Sequence, residues 1–579
     1  MNCYDWRWSA SGSVRAPKAK SAKEGDMIKN ELSNLIERAA TTAQERGILP
    51  HVAIPEASVE RPQLPEHGDY ASSIALKLAR GARMKPLAIA ETIVSVLPSS
   101  DAVARVWVAP PGFINFVLDD RWLARQVETI LEASTSFGHV EIGNGHTVQV
   151  EFISANPTGP LVAVAGRGGS LGDALANILN AAGYKAQREY YLENAGSRME
   201  AFHRSIYARY QQQFGIEAQV PDEGYHGEYL TDLAKEILGE HGSRYLDMPA
   251  EEAAPALGHI AMEKIIAGVK EDLARLGVHY ERWFMQQQEL FETSAVQRVI
   301  ERLRQGGFLV EREGALWFTS STLGEDKDNV VVRSNGIPTY FAADIAYHYN
   351  KLIERGFDRV VNIWGADHQG HLPRMRAGIS ALGIDPSRVT FIIHQMVTLK
   401  RGAEIVKMSK RAGHVVLLRD VLDEVGADAC RFFFLSRSAD SHMDFDLELA
   451  KKQSAENPVF YVQYAHARIA SILRLAQDRG INYSGGDVSL LREPAEMALI
   501  RKMLYLPELV ETAARALEPH HLPHYAVDLA TAFHQFYEQC RVISDDQPMT
   551  AARLKLVAAA KTALANTLCL MGMSAPEQM

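Results

Sequence analysis

The fold of this chain is decided by residues 147–192, which read TVQVEFISANPTGPLVAVAGRGGSLGDALANILNAAGYKAQREYYL. The first seven residues, 147–153, are mostly apolar and predict a buried strand, and a loop with proline and glycine follows over 154–169. Aliphatic residues then recur every three or four positions, which predicts a helix that Gly183 closes. The segment 186–192 predicts a second strand. A strand–helix–strand unit of this kind is typical of a parallel sheet.

The patterns on either side extend this unit into a multidomain α/β chain. The first 26 residues are rich in Ser, Ala, Gly and Lys, so we expect a disordered tail over 1–26. Helical periodicity begins at the start of 27–136, which predicts a small α+β domain, and 447–579 predicts an all-α domain. Between them, 137–446 predicts a Rossmann-like parallel-sheet domain, interrupted by a mainly helical insertion over about 195–334.

Individual elements follow from the same periodicities. Stretches rich in Val, Ile and Phe predict strands, and apolar residues at helix spacing predict helices. The other predicted strands are 52–55, 106–108, 113–117, 360–364 and 389–393. The other predicted helices are 74–78, 87–97, 339–350 and 372–382. Because ligands of such sheets bind at the carboxyl ends of the strands, we expect the functional side chains there.

The composition sets broad limits on function and compartment. The formal net charge of −10 at pH 7 disfavours a uniformly basic nucleic-acid-binding protein but allows a local basic face. The four cysteines are single and widely spaced, unlike those of a zinc site or a disulfide framework. Neither a membrane-spanning apolar run nor a signal peptide is recognisable. We therefore expect a cytoplasmic protein without a membrane association, a protein-bound metal or a prosthetic group.

The strongest local motif is Lys407-Met-Ser-Lys410, in a segment that follows a predicted strand. Two lysines three residues apart, in a loop bracketed by Gly402 and Gly413, can close over a polyphosphate as mobile positive charges. A solvated basic loop is the alternative. Because the motif follows a strand–helix–strand unit, we favour the phosphate-binding interpretation.

Two groups of polar residues raise the question of a metal ion. Asp367, His368 and His371 have side chains that can ligate metals, but no second cluster lies at a matching spacing. The acidic segment 440–446 draws all its carboxylates from one short stretch, which is typical of a solvated turn. We therefore expect Mg²⁺, where it is used, to arrive with a nucleotide.

Several longer motifs, in order and spacing, resemble the class I arginyl-tRNA synthetases. The lysine motif continues as Arg411-Ala-Gly413, which is the form that this family has. The other matching motifs are Gly68-Asp-Tyr-Ala-Ser-Ser, Pro110-Pro-Gly-Phe-Ile-Asn, Ser154-Ala-Asn-Pro-Thr-Gly-Pro-Leu161, Gly336-Ile-Pro-Thr-Tyr-Phe-Ala-Ala-Asp-Ile-Ala-Tyr347, Ile363-Trp-Gly-Ala-Asp-His-Gln-Gly370, Asn457-Pro-Val-Phe-Tyr-Val-Gln-Tyr-Ala-His-Ala-Arg468 and Ser574-Ala-Pro-Glu. Together they extend over roughly residues 27–579.

The resemblance implies ATP-dependent attachment of L-arginine to its tRNA through an arginyl-adenylate. The substrates would be ATP with Mg²⁺, L-arginine and tRNA(Arg), and we expect a monomer. In this family the helical C-terminal domain reads the anticodon and the N-terminal domain contacts the tRNA elbow. Aromatic side chains of the C-terminal domain could stack on splayed bases, and we expect core packing for at least half of them. The candidates are Tyr461, Tyr464, Phe536 and Tyr537.

The same resemblance assigns side chains to the substrates. Arginine has a planar guanidinium with five donors, which needs carboxylates and amide or hydroxyl acceptors. The residues at the matching arginine-binding positions are Glu151, Asn156, Tyr340, Asp344 and His368. Those assigned to ATP are Gly166, Asp367 and Met408, and the catalytic positions are Lys407, Ser409 and Lys410. A charge on a helix surface is the alternative for Asp344.

One signature of the family is altered in this chain. Its region comprises Ala155, Asn156, Pro157, Thr158, Gly159, Pro160, Leu161, Val162, Ala163, Val164 and Ala165. Where the family has His-x-Gly-His, the chain has Val162-Ala-Val-Ala165. Two hydrogen-bond donors for the ATP phosphates are therefore missing, and Val164 occupies space that the family leaves to adenine. Loss of one such donor typically costs about 10²–10³ in rate.

Three interpretations follow from this change. The chain is an active synthetase in which Lys407, Lys410 and helix-terminal amides carry the phosphate chemistry. Alternatively, it is an impaired or non-catalytic relative that binds tRNA or arginine without activating arginine. A third interpretation is a pocket adapted to another nucleotide. We predict slow adenylate formation with retained tRNA binding.

Overall fold

A five-stranded parallel sheet forms the centre of the computed structural model, which describes residues 27–406 and 416–579. Across the sheet, the strands are β12 (Val389–His394), β11 (Arg359–Gly365), β5 (Thr147–Phe152), β6 (Lys185–Leu192) and β7 (Arg282–Met285). Every neighbouring pair is parallel. The chain leaves β5 toward β6 on one side and returns at β11 on the other. A switch point of this kind leaves a crevice at the carboxyl ends of the strands.

Helix α5 (Ala165–Ala181) joins β5 to β6 and begins earlier than the sequence predicts. The glycine-rich run 166–169, which we expected in a loop, forms the first helical turns. Packing explains the difference. Further along α5, a side chain at Gly172 would lie 2.1 Å from the ring of Phe152, so only a bare helix surface fits against β5. Tertiary packing thus overrides the low helix propensity of glycine.

The N-terminal domain is α+β, as predicted. Its helices are α1 (Ile28–Glu45), α2 (Ile74–Ala82), α3 (Pro86–Ser95) and α4 (Asp120–Ala133). Its antiparallel sheet has, in spatial order, β1 (Val59–Glu60), β2 (Tyr70–Ser72), β4 (Phe113–Leu118) and β3 (Val103–Ala109). The predicted helices 74–78 and 87–97 and the predicted strands 106–108 and 113–117 are confirmed, with ends that shift by a few residues.

The strand predicted at 52–55 is wrong. The Gln44 side-chain amide donates to the carbonyl oxygens of Pro50 and Val52 at 3.1 and 2.7 Å. These carbonyls therefore have partners without a neighbouring strand. Pro55 also lacks the N–H that a sheet ladder needs.

The segment after β6 carries strands as well as helices. Its helices are α6 (Ser197–Gln212), α7 (Glu228–His241), α8 (Ala250–Arg275) and α9 (Ala295–Gln305). A small antiparallel sheet follows, formed by β8 (Leu309–Arg312), β9 (Ala315–Phe318) and β10 (Asn329–Val332). The prediction of a mainly helical insertion over 195–334 is therefore incomplete, since β7 also lies within it and joins the central sheet. Strands of four residues give too short a pattern to recognise.

The remaining elements of the sheet domain surround β11 and β12. Helix α10 (Tyr340–Tyr349) continues into a π-helical turn (Asn350–Glu354), and α11 (Leu372–Ala381) precedes β12. A second sheet has the order β14 (Glu404–Ile405), β13 (Val397–Arg401), β15 (Met443–Asp446), and the helices are α12 (Leu418–Val425), α13 (Ala427–Leu435) and α14 (Leu447–Lys451). The predictions at 339–350, 360–364, 372–382 and 389–393 are confirmed. The lysine motif lies between β14 and α12, outside the described residues.

The C-terminal domain is helical, as predicted. Its helices are α15 (Pro458–Asp478), α16 (Pro494–Met503), α17 (Leu506–Ala516), α18 (His521–Gln539) and α19 (Gln547–Leu570). The buried guanidinium of Arg431 on α13 donates to the carbonyl oxygen of Met571 at 2.6 Å and to Asp173 Oδ2 at 2.5 Å. Because Asp173 belongs to α5, one charged group attaches the end of the C-terminal domain to the central sheet domain.

The two end domains also contact each other directly. The Glu508 carboxylate on α17 accepts the Tyr70 hydroxyl at 2.5 Å and Arg61 Nη2 at 2.8 Å. Arg501 on α16 donates to Asp69 at 2.8 Å. Burial, and then the charge of Glu508, raise the pKa of Tyr70 well above its ordinary value, so the hydroxyl stays protonated and donates.

Replacing Glu508 with alanine should weaken this interface. The buried Tyr70 hydroxyl would lose its acceptor and Arg61 would lose its carboxylate partner, which should lower the free energy of unfolding by about 3–5 kcal/mol. Urea denaturation followed by circular dichroism measures the effect. The matched control is Glu538→Ala, an exposed glutamate on α18, which should leave the curve unchanged. Equal urea midpoints for Glu508→Ala and Glu538→Ala would show that the contact of Glu508 with Tyr70 and Arg61 contributes nothing to stability.

Candidate active site

Three carboxylates converge beyond the carboxyl ends of β5 and β6. Glu151 lies next to the last residue of β5, Glu193 directly follows β6, and Asp344 projects from α10. Burial, followed by the charges of Asp344, Glu193 and Glu151, raises the pKa of Tyr191 well above its ordinary value. Burial, and then the charges of Glu193 and Glu151, also raise the pKa of Asp344. A pocket with three like charges so close together is suited to a cationic ligand.

The Tyr340 hydroxyl, which has no hydrogen-bond partner among the described residues, faces the same carboxylate pocket. Tyr340 lies one helical turn before Asp344 on α10, and the two side chains share a face, as the four-residue spacing predicts. The Tyr340 hydroxyl is buried and has no hydrogen-bond partner within 27–406 and 416–579. Because an unpaired buried polar group costs about 1–3 kcal/mol, a ligand atom is expected to meet it. Carboxylates with a hydroxyl acceptor suit a guanidinium or ammonium group.

Asn156 holds one of these carboxylates in place. Its Nδ2 donates to Glu193 Oε2 at 3.0 Å, and its Oδ1 accepts Arg198 Nη1 at 3.1 Å. The Arg198 guanidinium lies over the Tyr340 ring, 5.5 Å from the ring centroid. The amide predicted from the sequence therefore orients Glu193 from the loop that follows β5.

The chain leaves β5 through a strained turn. Ile153 has a φ of 70° and Ser154 a φ of 32°, which are unusual for residues with a side chain. The Ser154 hydroxyl accepts the Tyr191 N–H at 3.2 Å and helps to hold this turn. Strain of this kind costs about 1–3 kcal/mol per residue and concentrates at functional sites. Here it directs the loop that carries Asn156 toward Glu193.

The altered signature region lies beside the end of the lysine-motif segment. The Ala163 N–H donates to the Val416 carbonyl at 2.9 Å, and the Leu161 carbonyl accepts the Leu418 N–H at 2.9 Å. Val416 is the first described residue after the motif. The altered signature region is therefore adjacent in the fold to residues 416–418, the first described residues after the lysine motif.

The side chains of the altered region differ in their access to solvent. Ala163 is fully buried, whereas Val162, Val164 and Ala165 are half-buried. Val164 is the N-cap residue of α5, with helical backbone angles, and Ala165 is its first helical residue. The half-buried positions are the ones at which the resembling family has His, Gly and His. The resemblance therefore implies that two donors are missing at the start of a helix, a place where anions bind.

One imidazole lies close to this helix start. A side chain at Gly168 would lie 3.3 Å from Nε2 of His394, which ends β12. Burial, and then the charge of Arg167, lower the pKa of His394 to about 4. The ring is therefore neutral at pH 7 and keeps one N–H donor. It faces α5 one turn after Ala165.

The predicted residues Asp367 and His368 lie at the rim. Both belong to a short 3-10 helix (Ala366–His371) that follows β11, and their side chains are 84% and 51% exposed, respectively. Burial raises the pKa of Glu193, and the Asn156 hydrogen bond, Arg198 and His368 oppose this shift. His368 is therefore near enough to act on the carboxylate pocket.

Three family models match the chain in the same order as its domains. The arginyl tRNA synthetase N terminal domain matches 26–118, the catalytic domain of class I (R) tRNA synthetases matches 126–506, and the DALR anticodon binding domain matches 462–579. The chain belongs to the arginyl-tRNA synthetase family.

Full-length relatives agree with this assignment. An arginine–tRNA ligase from Dehalococcoides mccartyi is 53% identical over 552 residues, which cover 95% of this chain and 99% of that protein. An arginine–tRNA ligase from Caldanaerobacter subterraneus is 46% identical over 555 residues, with coverage of 95% and 99%. The structure of the Thermus thermophilus arginyl-tRNA synthetase has a TM-score of 0.75 at 22% identity and covers 96% of this chain and 100% of that one, which supports the shared fold.

Within this arginyl-tRNA synthetase family fold, the sequence-predicted residues fall into three groups. Those around the carboxylate pocket are Glu151, Asn156, Tyr340 and Asp344, with His368 at its rim. Those outside the described residues are Lys407, Met408, Ser409 and Lys410. Gly166 lies in the first turn of α5, where a side chain would come within 2.7 Å of Phe434, so packing alone requires a glycine there. Its contact with ATP stays a prediction.

Three residues near the site were missed by the sequence analysis. Glu193 had a usable signal, because it is the first residue beyond a predicted strand. Lys351 lies seven residues after Asp344, which places it on the same face of an otherwise apolar helix. His394 also follows a predicted strand, although no motif surrounds it. None of these three signals identifies a functional residue until the strands and helices that pack beside it are known.

The four aromatic candidates of the C-terminal domain differ in their environment. Phe536 is fully buried, so the suggestion that it stacks on RNA is wrong, and its role is core packing. The Tyr461 hydroxyl donates to Thr531 Oγ1 at 3.3 Å within the helical domain. Tyr464 and Tyr537 are half-buried and keep part of their rings accessible.

Proposed function

We propose that this chain attaches L-arginine to its tRNA with ATP, and that the pocket of Glu151, Glu193 and Asp344 holds the arginine. The observation that carries the proposal is the convergence of these carboxylates beside the unpartnered Tyr340 hydroxyl. L-Arginine presents two cationic groups, a guanidinium and an α-ammonium, and so matches a pocket of this charge. Membership of the arginyl-tRNA synthetase family supports the reaction.

The reaction has two steps. A carboxylate oxygen of arginine attacks the α-phosphorus of ATP, and the bond to the leaving pyrophosphate breaks to give arginyl-adenylate. A hydroxyl of the terminal ribose of the tRNA then attacks the arginyl carbonyl, loses its proton, and AMP leaves. Mg²⁺ bound to the ATP phosphates offsets their charge.

We assign the ATP side of the site to residues of the altered signature region and of the lysine motif. Lys407 and Lys410 would neutralise charge on the phosphates, with Ser409 beside them. Gly166, Asp367 and Met408 are assigned to ATP binding. The hydrogen bonds between the Leu161 and Ala163 backbone and residues 416–418 support this arrangement, since they hold the end of the lysine segment beside the start of α5.

Aminoacylation tests the proposed function. The expected result is ATP-dependent charging of tRNA(Arg) with labelled arginine, together with arginine- and tRNA-dependent exchange of pyrophosphate into ATP. Binding of arginine and tRNA without exchange or charging would support the alternative of a non-catalytic relative. Failure to bind arginine would contradict the proposal.

We assign an aromatic surface on α15 and α18 to contact with the anticodon loop. The Arg468 guanidinium lies 5.0 Å from the Tyr464 ring centroid and 5.2 Å from that of Tyr537. Phe460 stacks on Tyr464 at 5.8 Å, with an angle of 12° between the rings. All four side chains are half-buried. Aromatic rings with an adjacent arginine are the usual means of holding unstacked RNA bases.

Replacing Tyr464 with alanine should therefore weaken tRNA binding. Loss of one stacking platform costs about 1–3 kcal/mol, or roughly 5–150-fold in affinity. Filter binding with tRNA(Arg) measures the effect, and arginine binding should be unchanged. Tyr483→Ala is the matched control, because Tyr483 is also half-buried and follows the far end of α15. If both variants bind tRNA as tightly as the unaltered chain, this surface does not contact tRNA.

We also propose that the enzyme is a cytoplasmic monomer and that its N-terminal domain contacts the tRNA elbow. The relatives named arginine–tRNA ligase support a place in translation. No helix in the described part of the chain has the length and apolar composition needed to cross a membrane. Gel filtration with light scattering would establish the oligomeric state.

A further inference from the structure

A lysine lies in the interior directly behind the carboxylate pocket. Lys351 is fully buried in the π-helical turn after α10. Its Nζ contacts Glu151 Oε2, donates to Asn362 Oδ1 at 2.9 Å, and lies 3.9 Å from the centroid of the Tyr347 ring. An ammonium group has three N–H donors, and here each has an acceptor or a ring face. Burial lowers the pKa of Lys351, the charges of Glu151 and Glu189 oppose this shift, and the three contacts suit the ammonium form.

The direction of each hydrogen bond behind Lys351 is determined. Burial, and then the charge of Lys351, lower the pKa of His348 to about 3, so its imidazole is neutral. His348 Nδ1 lies 2.8 Å from the carbonyl oxygen of Asp344 and must donate to it. Its Nε2 then accepts Asn362 Nδ2 at 2.8 Å. Asn362 Oδ1 therefore faces Lys351, and Lys351 Nζ donates to it.

The other nearby carboxylate is already paired. Glu189 lies beside Glu151 in the sheet register. Glu189 Oε1 accepts Arg355 Nη1 at 2.8 Å and the Tyr347 hydroxyl at 2.7 Å. Glu189 is thus paired with Arg355, and the direct carboxylate contact of Lys351 is with Glu151.

We propose that Lys351 is a positioning residue for arginine binding. Its ammonium group holds Oε2 of Glu151 in place and leaves Oε1 for the bound arginine. Without this cation, Glu151 would stand unpaired next to Glu193 and Asp344, a state that burial and repulsion disfavour. The inference rests on the proposed function, because it concerns the same pocket.

Replacing Lys351 with methionine should weaken arginine binding by about 10–100-fold, because the Glu151 carboxylate loses the buried cation that holds it in place. ATP affinity should stay unchanged. Titration calorimetry of the full chain with L-arginine and with ATP measures both. Full arginine affinity in this variant would overturn the proposal. If the unaltered chain fails to bind arginine, the proposed function itself fails, and the inference with it.

A double-mutant cycle separates positioning from general stability. Glu151→Gln should also weaken arginine binding, and adding Lys351→Met to it should cause no further loss, because Lys351 acts through Glu151. The double variant leaves no unpaired carboxylate at residue 151, so this comparison decides the matter even if Lys351→Met alone fails to fold. A further loss of arginine affinity in the double variant would overturn the proposal.

Lys555 provides a matched control. It is buried, at 8% exposure, and donates to Glu128 Oε1 at 2.5 Å where α19 packs on α4, far from the pocket in the fold. Lys555→Met should lower the melting temperature without changing arginine affinity. An equal loss of arginine affinity in Lys555→Met and Lys351→Met would mark a general folding effect and overturn the positioning role.

Discussion

Replacing Val162 with histidine, Val164 with glycine and Ala165 with histidine in one chain should raise the rate of ATP–pyrophosphate exchange by about 10²–10⁴-fold. Each restored imidazole can donate to a phosphate oxygen as charge develops there, and one donor is worth about 10²–10³ in rate. The lower end of the range applies because the gains from two histidines that act together need not multiply. All three positions are half-buried at the start of α5, so the new side chains have access to solvent there.

A variant matched in size but without donors isolates the chemistry. Val162→Leu and Ala165→Leu, combined with Val164→Gly, should gain only what the opened adenine space gives and should exchange pyrophosphate more slowly than the histidine variant. Arginine affinity should be the same in all three proteins, because the carboxylate pocket is unchanged. If the histidine variant folds normally and gains no activity, the missing donors are not what limits adenylate formation.

Replacing Asp344 with asparagine should weaken arginine binding by about 10²–10³-fold. Removing one charge of a buried pair costs about 2–5 kcal/mol, because the other charge is left without its partner. Asparagine keeps the shape and one acceptor but loses the charge. Titration calorimetry with L-arginine measures the loss. Asp385→Asn, an exposed aspartate on the same domain, should leave arginine affinity unchanged.

The same variant should be more stable than the unaltered chain when no arginine is present. Burial raises the pKa of Asp344, so the folded state binds its proton more tightly than the unfolded state does. The stabilisation from Asp344 is therefore fully present below pH 3.8, which is the ordinary aspartate pKa. It declines as the pH rises from there toward the raised pKa of the folded state. Asparagine cannot ionise, so Asp344→Asn should melt higher at pH 8. A lower melting temperature at pH 8 would contradict this account of Asp344.

Much of the fold was predictable because it depends on local periodicity. The apolar strand 147–153 and the helical spacing after Leu171 were sufficient to predict the parallel unit around the site. The spacing of Tyr340 and Asp344 likewise predicted their shared face. The start of α5 was mispredicted, because glycine has a low helix propensity and only tertiary contacts, those of Gly166 with Phe434 and of Gly172 with Phe152, explain a helix there.

Sequence by itself determined the family and the central sheet, and it proposed Asn156 and Asp344 as acceptors and 162–165 as an altered signature. Each of these depends on which residue stands at which position. Only the tertiary structure decided that Glu193 completes the carboxylate pocket and that Lys351 lies behind Glu151. Those contacts join β5, β6 and α10, which lie up to 200 residues apart along the chain. Charge interactions depend on distance and burial in space, and neither is recorded in a local pattern of residues.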